Sequence, residues 1–119
     1  MDVGLMIRFG TLIPGREEQA LALFDETTAY FRRKVEEGTL TYFEPFFLAT
    51  GDLETEIGFY VMKGPAPEIF KLEADEEYLR LMQKGIMLVE HLRADVLTVG
   101  DGIALQIERA HKVRSELGI

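Results

Sequence analysis

The chain has 119 residues, of which 47% are hydrophobic and 29% charged, and its formal net charge is −8. This length predicts one domain spanning residues 1–119, and the composition argues against a disordered chain. The acidic balance argues against partners that need a basic footprint, namely nucleic acid and anionic membrane surfaces.

No segment resembles a targeting or membrane-spanning sequence. The N-terminus lacks the basic start and apolar stretch of a signal peptide, and no run approaches the roughly 20 apolar residues of a membrane span. The sequence has no cysteine, hence no disulfide, thiolate metal site or cysteine nucleophile. We therefore expect a soluble cytoplasmic protein, and we assign it no metal and no cofactor.

The chain begins with a predicted strand and helix. Imperfect apolar alternation indicates a strand over Val3–Ile13, which Pro14-Gly15 ends. Glu17 and Glu18 suit the positive end of a helix. Apolar residues then step by three or four positions as far as about Glu37, where the helix ends.

The next two predicted strands, Thr39–Thr50 and Glu54–Met62, form a β-hairpin and are apolar on both faces. Side chains alternate between the faces of a strand, so a half-solvated sheet should show one polar set. The alternate sets are Leu40, Tyr42, Phe46 and Leu48 against Thr41, Phe43, Phe47 and Ala49, then Ile57, Phe59 and Val61 against Gly58, Tyr60 and Met62. A chain this short has few helices to cover both faces, so we expect a second copy to cover one.

The second half of the chain predicts two helices, a strand and a final helix. The breaker Lys63–Pro67 precedes a short helical turn, Glu68–Leu72, and a longer helix, Glu76–Glu90. Arg93–Val99 alternates as the fourth strand. The last helix, Ile103–Leu117, has a thin apolar stripe that suits packing on the domain or on a partner. Swapping onto a neighbour and folding back both stay open.

This order of elements is typical of ferredoxin-like α+β domains, βαββαβ, with an extra C-terminal helix. Right-handed crossovers place both main helices on one face of a four-stranded antiparallel sheet. We expect a core over residues 3–100 and the C-terminal helix over residues 101–118.

A short motif after the first strand adds a family resemblance. Pro14-Gly15-Arg16-Glu17-Glu18 is similar to the Pro-Gly-x-Glu helix start of antibiotic-biosynthesis-type monooxygenases. With the element order, it makes residues 3–100 resemble the dimeric α/β-barrel superfamily. The resemblance implies a homodimer stacked sheet against sheet and, in some members, oxidation without a cofactor. The chain has neither Trp nor Asn, so the Asn-Trp-His constellation of the haem-degrading branch cannot be carried over.

Polar side chains on the strands are the candidates for ligand binding: Arg8, Tyr42, Glu44, Tyr60, Asp95 and, beside the fourth strand, His91. If the faces of the strands coincide, the strand residues line a pocket between the sheet and the partner. A mostly apolar pocket with a few convergent polar groups is the usual form of a small-molecule site.

Each candidate also has a structural explanation. Arg8 sits among apolar neighbours and needs a partner, because an unpaired buried charge is costly. That partner can be a carboxylate in an ion pair that holds the dimer together. Tyr42 and Tyr60 can be core residues with satisfied hydroxyls, and His91 can stabilise the end of the preceding helix.

Two functions remain open. In the first, the homodimer binds a small apolar or aromatic molecule under the sheet, and oxidises it without a cofactor. In the alternative, it is a non-enzymatic dimerisation or partner-interaction module of the stress-responsive type. A pocket of roughly 300 Å³ or more touching Arg8 and a tyrosine favours the first. A face filled by Phe43, Phe46, Phe47 and Met62 favours the second.

Overall fold

The computed structural model describes all of residues 1–119. Its elements, in chain order, are β1 (Asp2–Phe9), α1 (Glu17–Glu36), β2 (Tyr42–Phe47), β3 (Gly58–Pro65), α2 (Ala66–Leu72), α3 (Glu76–Leu88), β4 (Arg93–Thr98) and α4 (Asp101–Leu117). The strands form one antiparallel sheet in the order β2-β3-β1-β4. This confirms the predicted α+β, ferredoxin-like fold.

Local chemistry fixes the ends of the two main helices. Gly38, just beyond α1, has a φ of 83°, which a residue without a Cβ adopts readily. The Asp75 carboxylate precedes α3 and accepts a hydrogen bond from the Tyr78 backbone N–H at 3.2 Å. That carboxylate also accepts a hydrogen bond from the Tyr30 hydroxyl at 2.8 Å, which ties α1 to the start of α3.

The predicted limits of three strands are wrong. β1 ends at Phe9 rather than Ile13, and β2 covers only the middle of Thr39–Thr50. β3 starts later than Glu54 and continues to Pro65, through part of the predicted breaker. The reason is pairing with β1, whose residue Asp2 lies opposite Pro65. A proline at the end of a strand costs no ladder hydrogen bond.

The sheet has one face covered by helices, the helix face. Leu5 and Ile7 of β1 and Tyr60 and Met62 of β3 are buried there. They pack against side chains of α1, α2 and α3, which complete the core: Tyr30, Phe31, Ile69, Leu72, Tyr78 and Leu81. This layer holds most of the apolar burial of the chain.

The opposite face, called the open face here, carries a mixed set of side chains. The strand register assigns to it Met6, Arg8, Tyr42, Glu44, Phe46, Phe59, Val61, Arg93, Asp95 and Leu97. The Phe46 and Phe59 rings stack at a centroid distance of 5.1 Å. An apolar centre with charged edges therefore faces away from α1 and α3.

Helix α4 projects from the body of the domain. Within it only Gly102 is buried, and every residue from Ile103 to Ile119 is exposed. The radius of gyration is 16.7 Å, whereas a compact domain of this length would have about 13.5 Å. The helix thus does not fold back over its own domain. None of the helices has the length and apolar character that crossing a bilayer requires.

Candidate functional site

The helix face of the sheet encloses an apolar cavity. It has a volume of about 260 Å³ and lies between the sheet, α1 and α3. Its wall includes Ile7 of β1, Phe24 and Phe31 of α1, and Leu81 and Met82 of α3. An apolar cavity of roughly 150 Å³ already accommodates benzene, so this one has room for a substituted aromatic ring.

The mouth of the cavity is marked by two exposed apolar side chains. Leu21 of α1 is 61% exposed and Phe47 of β2 is 59% exposed, yet both also line the cavity. The Phe47 ring packs on Phe24 at a centroid distance of 5.2 Å. Access therefore runs between the beginning of α1 and the end of β2.

Three hydroxyl groups are the main polar features of the wall: those of Thr27, Tyr60 and Tyr78. Burial, followed by the negative charge of Asp25, raises the pKa of Tyr60. Burial raises the pKa of Tyr78 to about 12. Both phenols are therefore protonated hydrogen-bond donors at neutral pH.

Tyr60 is held by aromatic contacts and not by a hydrogen bond of its hydroxyl. Its ring lies 5.6 Å from Phe9, 5.7 Å from Phe24 and 5.9 Å from Phe43, measured between centroids. No hydrogen bond contributes to its pKa shift, in contrast to Tyr30, whose hydroxyl donates to Asp75. The hydroxyl of a buried tyrosine normally finds a partner. Because the Tyr60 hydroxyl has none within the protein, it can donate a hydrogen bond to a bound molecule.

The predicted convergence of Tyr60 with Arg8 is wrong. In the register of β1 and β3, Tyr60 lies opposite Ile7, and Arg8 lies opposite Phe59. Tyr60 consequently occupies the helix face, whereas Arg8 occupies the open face. The apolar cavity touches Tyr60 but not Arg8, and it lies beneath the helices rather than between the sheet and a partner.

Three further candidates lie on the open face but far apart. The Tyr42 hydroxyl donates to the Glu44 carboxylate at 2.5 Å on β2, and this bond raises the pKa of Tyr42. Asp95 lies on β4, at the opposite edge of the sheet, 3.7 Å from the Nε of Arg93. Three strand spacings separate these edges, about 14 Å. They do not form one pocket with Arg8.

Arg8 and His91 do come together, in a second cavity of about 240 Å³ at one end of the open face. Glu56, Arg93, Thr55 and Leu92 complete its wall. Glu56 precedes β3, so strand alternation does not fix its direction, and its carboxylate reaches within 3.6 Å of the Arg8 Nε. His91 lies three residues beyond the last helical residue of α3 and does not cap it.

The helical part of the apolar cavity cannot be predicted from the sequence. The periodicity of α1 and α3 marks Phe24 and Tyr78 as inward-facing, but it cannot distinguish a filled interior from one with a gap. That difference depends on how the two helices sit on the sheet. No group of three or more histidine or carboxylate side chains comes together as a metal site would need.

Solved structures share this fold. Rv0793 from Mycobacterium tuberculosis matches with a TM-score of 0.65 at 18% sequence identity, over 85% of this chain and 97% of that one. A variant of SnoaB, a cofactor-independent oxygenase from Streptomyces nogalater, matches with a TM-score of 0.60 at 16% sequence identity, over 82% of this chain and 92% of that one. A dimeric protein of unknown function with a ferredoxin-like fold from Bacteroides fragilis matches with a TM-score of 0.58 at 10% sequence identity, over 80% of this chain and 93% of that one.

These likenesses confirm the predicted resemblance at the level of the fold. The chain has the ferredoxin-like α+β fold that these structures share. No protein-family model and no curated protein sequence matches it.

Proposed function

We propose that this protein binds a small, mainly apolar molecule carrying one aromatic ring in the cavity between the helix face, α1 and α3. The observation that carries the proposal is the hydroxyl of Tyr60, a buried residue, which has no protein acceptor and lies on the wall of an otherwise apolar cavity of about 260 Å³. A free donor in such a cavity orients a ligand through one oxygen or nitrogen acceptor.

The size and chemistry of the cavity limit the ligand. Its volume is below the roughly 300–1,000 Å³ of typical drug-sized sites, which favours a single ring over a fused polycycle. The wall contains no charged side chain, so a charged group on the ligand would have to remain at the mouth, near Leu21 and Phe47. Phenol, toluene and p-cresol are suitable probes.

Thermal unfolding with these probes tests the binding. A ligand of the folded state raises the Tm, and the rise grows with ligand concentration. We expect phenol to raise the Tm more than toluene. Tyr60→Phe should reduce that difference, and Tyr60→Phe combined with Tyr78→Phe should abolish it, because the Tyr78 hydroxyl also has no protein acceptor. Ala20→Phe, which fills the cavity from α1, should remove both effects, whereas Phe70→Ala, at an exposed site outside the cavity, should change neither. Identical shifts in Ala20→Phe would contradict the proposal.

We infer that two copies associate through the open face. Its apolar centre includes Phe46, Phe59 and Val61, and Phe46 is 37% exposed although it lies in a strand. The likeness to a dimeric protein with a ferredoxin-like fold supports the inference. In a symmetric dimer the same patch occurs on both partners, so one substitution acts twice.

Sedimentation equilibrium tests this association. Val61→Asp places a charge at the apolar centre of the open face and should weaken the dimer by more than about tenfold. Thr50→Asp, on the exposed connection after β2, is the charge-matched control and should not change it. A monomeric wild-type protein at high concentration would contradict the dimer without touching the cavity proposal.

Oxidation of the bound molecule is the second candidate, and the likeness to SnoaB motivates it. A hydroquinone would lose two electrons and two protons to O₂, giving a quinone and hydrogen peroxide. The protonated hydroxyls of the cavity cannot accept a proton from the ligand at neutral pH, so the substrate itself must be acidic. For this reason binding is our first proposal. Oxygen uptake with methylhydroquinone, compared between wild type and Ala20→Phe, tests the reaction.

The non-enzymatic module remains the alternative. Phe43, Phe47 and Met62 belong to the helix face and only Phe46 to the open face, so the expected filled surface is divided between both sides. A dimer that binds no probe in the cavity would support the module. The cytoplasmic location stays a prediction.

A further inference from the structure

The second cavity, at the end of the open face, holds two arginines that lie side by side. Arg8 of β1 and Arg93 of β4 are direct partners in the strand register, so their side chains leave the same face at neighbouring positions. Like charges directly opposite each other destabilise a sheet. In an acidic chain, this pairing needs a compensating negative charge.

The nearby carboxylates of the chain offset the positive charges of Arg8 and Arg93 without hydrogen-bonding to them. Arg8 approaches Glu56 through Nε at 3.6 Å, and Arg93 approaches Asp95 through Nε at 3.7 Å. Both distances exceed the 2.7–3.2 Å of a hydrogen bond. The remaining contact of Arg8 is a hydrogen bond from Nε to the Met6 sulfur at 3.4 Å. The terminal nitrogens of both guanidinium groups consequently have no protein partner.

His91 enters the same cavity from a strained backbone. Its φ is 56°, and it is the one residue other than glycine with a positive φ in the chain. A positive φ is uncommon outside glycine, although histidine adopts it more often than most other residues. Backbone hydrogen bonds hold it, because the Gly10 N–H donates to the Glu90 carbonyl at 2.7 Å. Strain of this kind is concentrated at binding sites.

We propose that Arg8 and Arg93 form a binding site for one carboxylate group. A guanidinium presents parallel N–H donors that fit the two oxygens of a carboxylate. Glu56 and Asp95 offset the formal charges of the two arginines. A doubly charged phosphate would therefore meet two carboxylates, which favours a monoanion. The carboxylate belongs either to a small free molecule or to a side chain of a second copy of this chain.

This site is separate from the apolar cavity, because it lies on the other face of the sheet. The test of this site can therefore fail while ligand binding in the apolar cavity is confirmed. Equally, binding in the apolar cavity can fail while this site is confirmed. NMR of the arginine Nε–Hε groups provides a direct probe. We expect sodium acetate to move the Arg8 and Arg93 resonances saturably, against sodium chloride at equal ionic strength.

Variants assign the effect to the paired guanidinium groups. Arg93→Gln should abolish the saturable shift of Arg8, and Arg93→Lys, which keeps the charge but loses the planar donors, should weaken acetate binding by about tenfold. Lys71→Gln removes the same charge from an exposed site on α2 and should leave the titration unchanged. Arg93 is 61% exposed at its side chain, so its replacement is compatible with folding.

Sedimentation equilibrium distinguishes the two sources of the carboxylate. If it comes from a second copy, Arg8→Gln and Arg93→Gln weaken self-association relative to Lys71→Gln, and acetate competes with the association. If it is a free molecule, association is unchanged while acetate still saturates the site. Either result supports the proposal. The proposal would be overturned if acetate caused no saturable shift and the arginine variants did not change self-association.

Discussion

Tyr30 and Tyr60 are two buried phenols with different roles. The Tyr30 hydroxyl donates at 2.8 Å to the Asp75 carboxylate, which in turn accepts from the Tyr78 backbone N–H. The Tyr60 hydroxyl has no such acceptor and lines the apolar cavity. The sequence treats both as apolar-face aromatics, because a pattern of residue types does not show where a hydroxyl finds its partner.

Replacing Tyr30 with Phe should lower the free energy of unfolding by about 1.5–3 kcal/mol, because a hydrogen bond to a charged acceptor is lost. The same change at Tyr60 should leave stability unchanged or slightly higher, since no protein hydrogen bond is broken. Urea unfolding of both variants gives the comparison. Equal destabilisation by the two substitutions would contradict the assigned roles.

The Tyr30 contribution should also depend on pH through Asp75. The hydrogen bond from Tyr30, more than the backbone bonds, lowers the pKa of Asp75 in the folded state. A depressed folded-state pKa stabilises the protein above the unfolded value of about 3.9. That stability is lost as the pH falls through the folded-state pKa. The difference in unfolding free energy between wild type and Tyr30→Phe should therefore shrink below about pH 4. If the difference in unfolding free energy stayed the same from neutral pH to well below pH 4, the linkage to Asp75 would be excluded.

Side-chain direction is where residue-level prediction was weakest. Glu56 and Tyr60 share a parity in the sequence, yet Glu56 lies before β3 and Tyr60 within it. Alternation holds only inside a paired strand, so Glu56 reaches Arg8 while Tyr60 points to the helices. Arg8 and His91 were both identified from sequence, and the cavity they share depends on a backbone turn that the sequence does not reveal.

At the level of elements, the order and type were predictable and the strand limits were not. Turn residues and capping signals such as Asp75 act locally and mark the helices well. The ends of β2 and β3 are set by register with β1, for instance Phe9 opposite Gly58, which is a long-range property. Apolar residues beyond those ends, such as Leu48, then resemble strand without belonging to one.

Gly58, the first residue of β3, shows how closely these elements approach each other. A Cβ at this position would lie 2.7 Å from the Phe46 carbonyl oxygen and 2.8 Å from the Phe9 ring. Because one of these atoms is backbone, Gly58→Ala must displace β2 and should cost about 1–3 kcal/mol. Thermal unfolding would show the loss. A variant as stable as wild type would mean that the hairpin has more freedom than this contact indicates.

At the level of the whole molecule, α4 is the element that one chain cannot explain. A helix of 17 residues is marginal in water without tertiary contacts. α4 exposes a stripe of Ile103, Ile107, Val113 and Leu117. It also contains as many acidic as basic residues, so the rest of the chain carries the whole net charge of −8. Its basic stretch at positions 109–114 is thus suited to the acidic body of a second copy.

Packing of α4 on a second copy predicts that its apolar stripe controls self-association. Ile107→Asp should weaken the dimer by about tenfold, or 1.4 kcal/mol, and should lower the helix content at dilutions where the wild type is still associated. Leu105→Asp adds the same charge in place of an exposed apolar residue on the far side of the same helix, and should do neither. Sedimentation equilibrium and circular dichroism over one dilution series measure both quantities. Equal association constants for the two variants would place the partner of α4 somewhere other than the dimer, and the open face would then have to hold the two copies together alone.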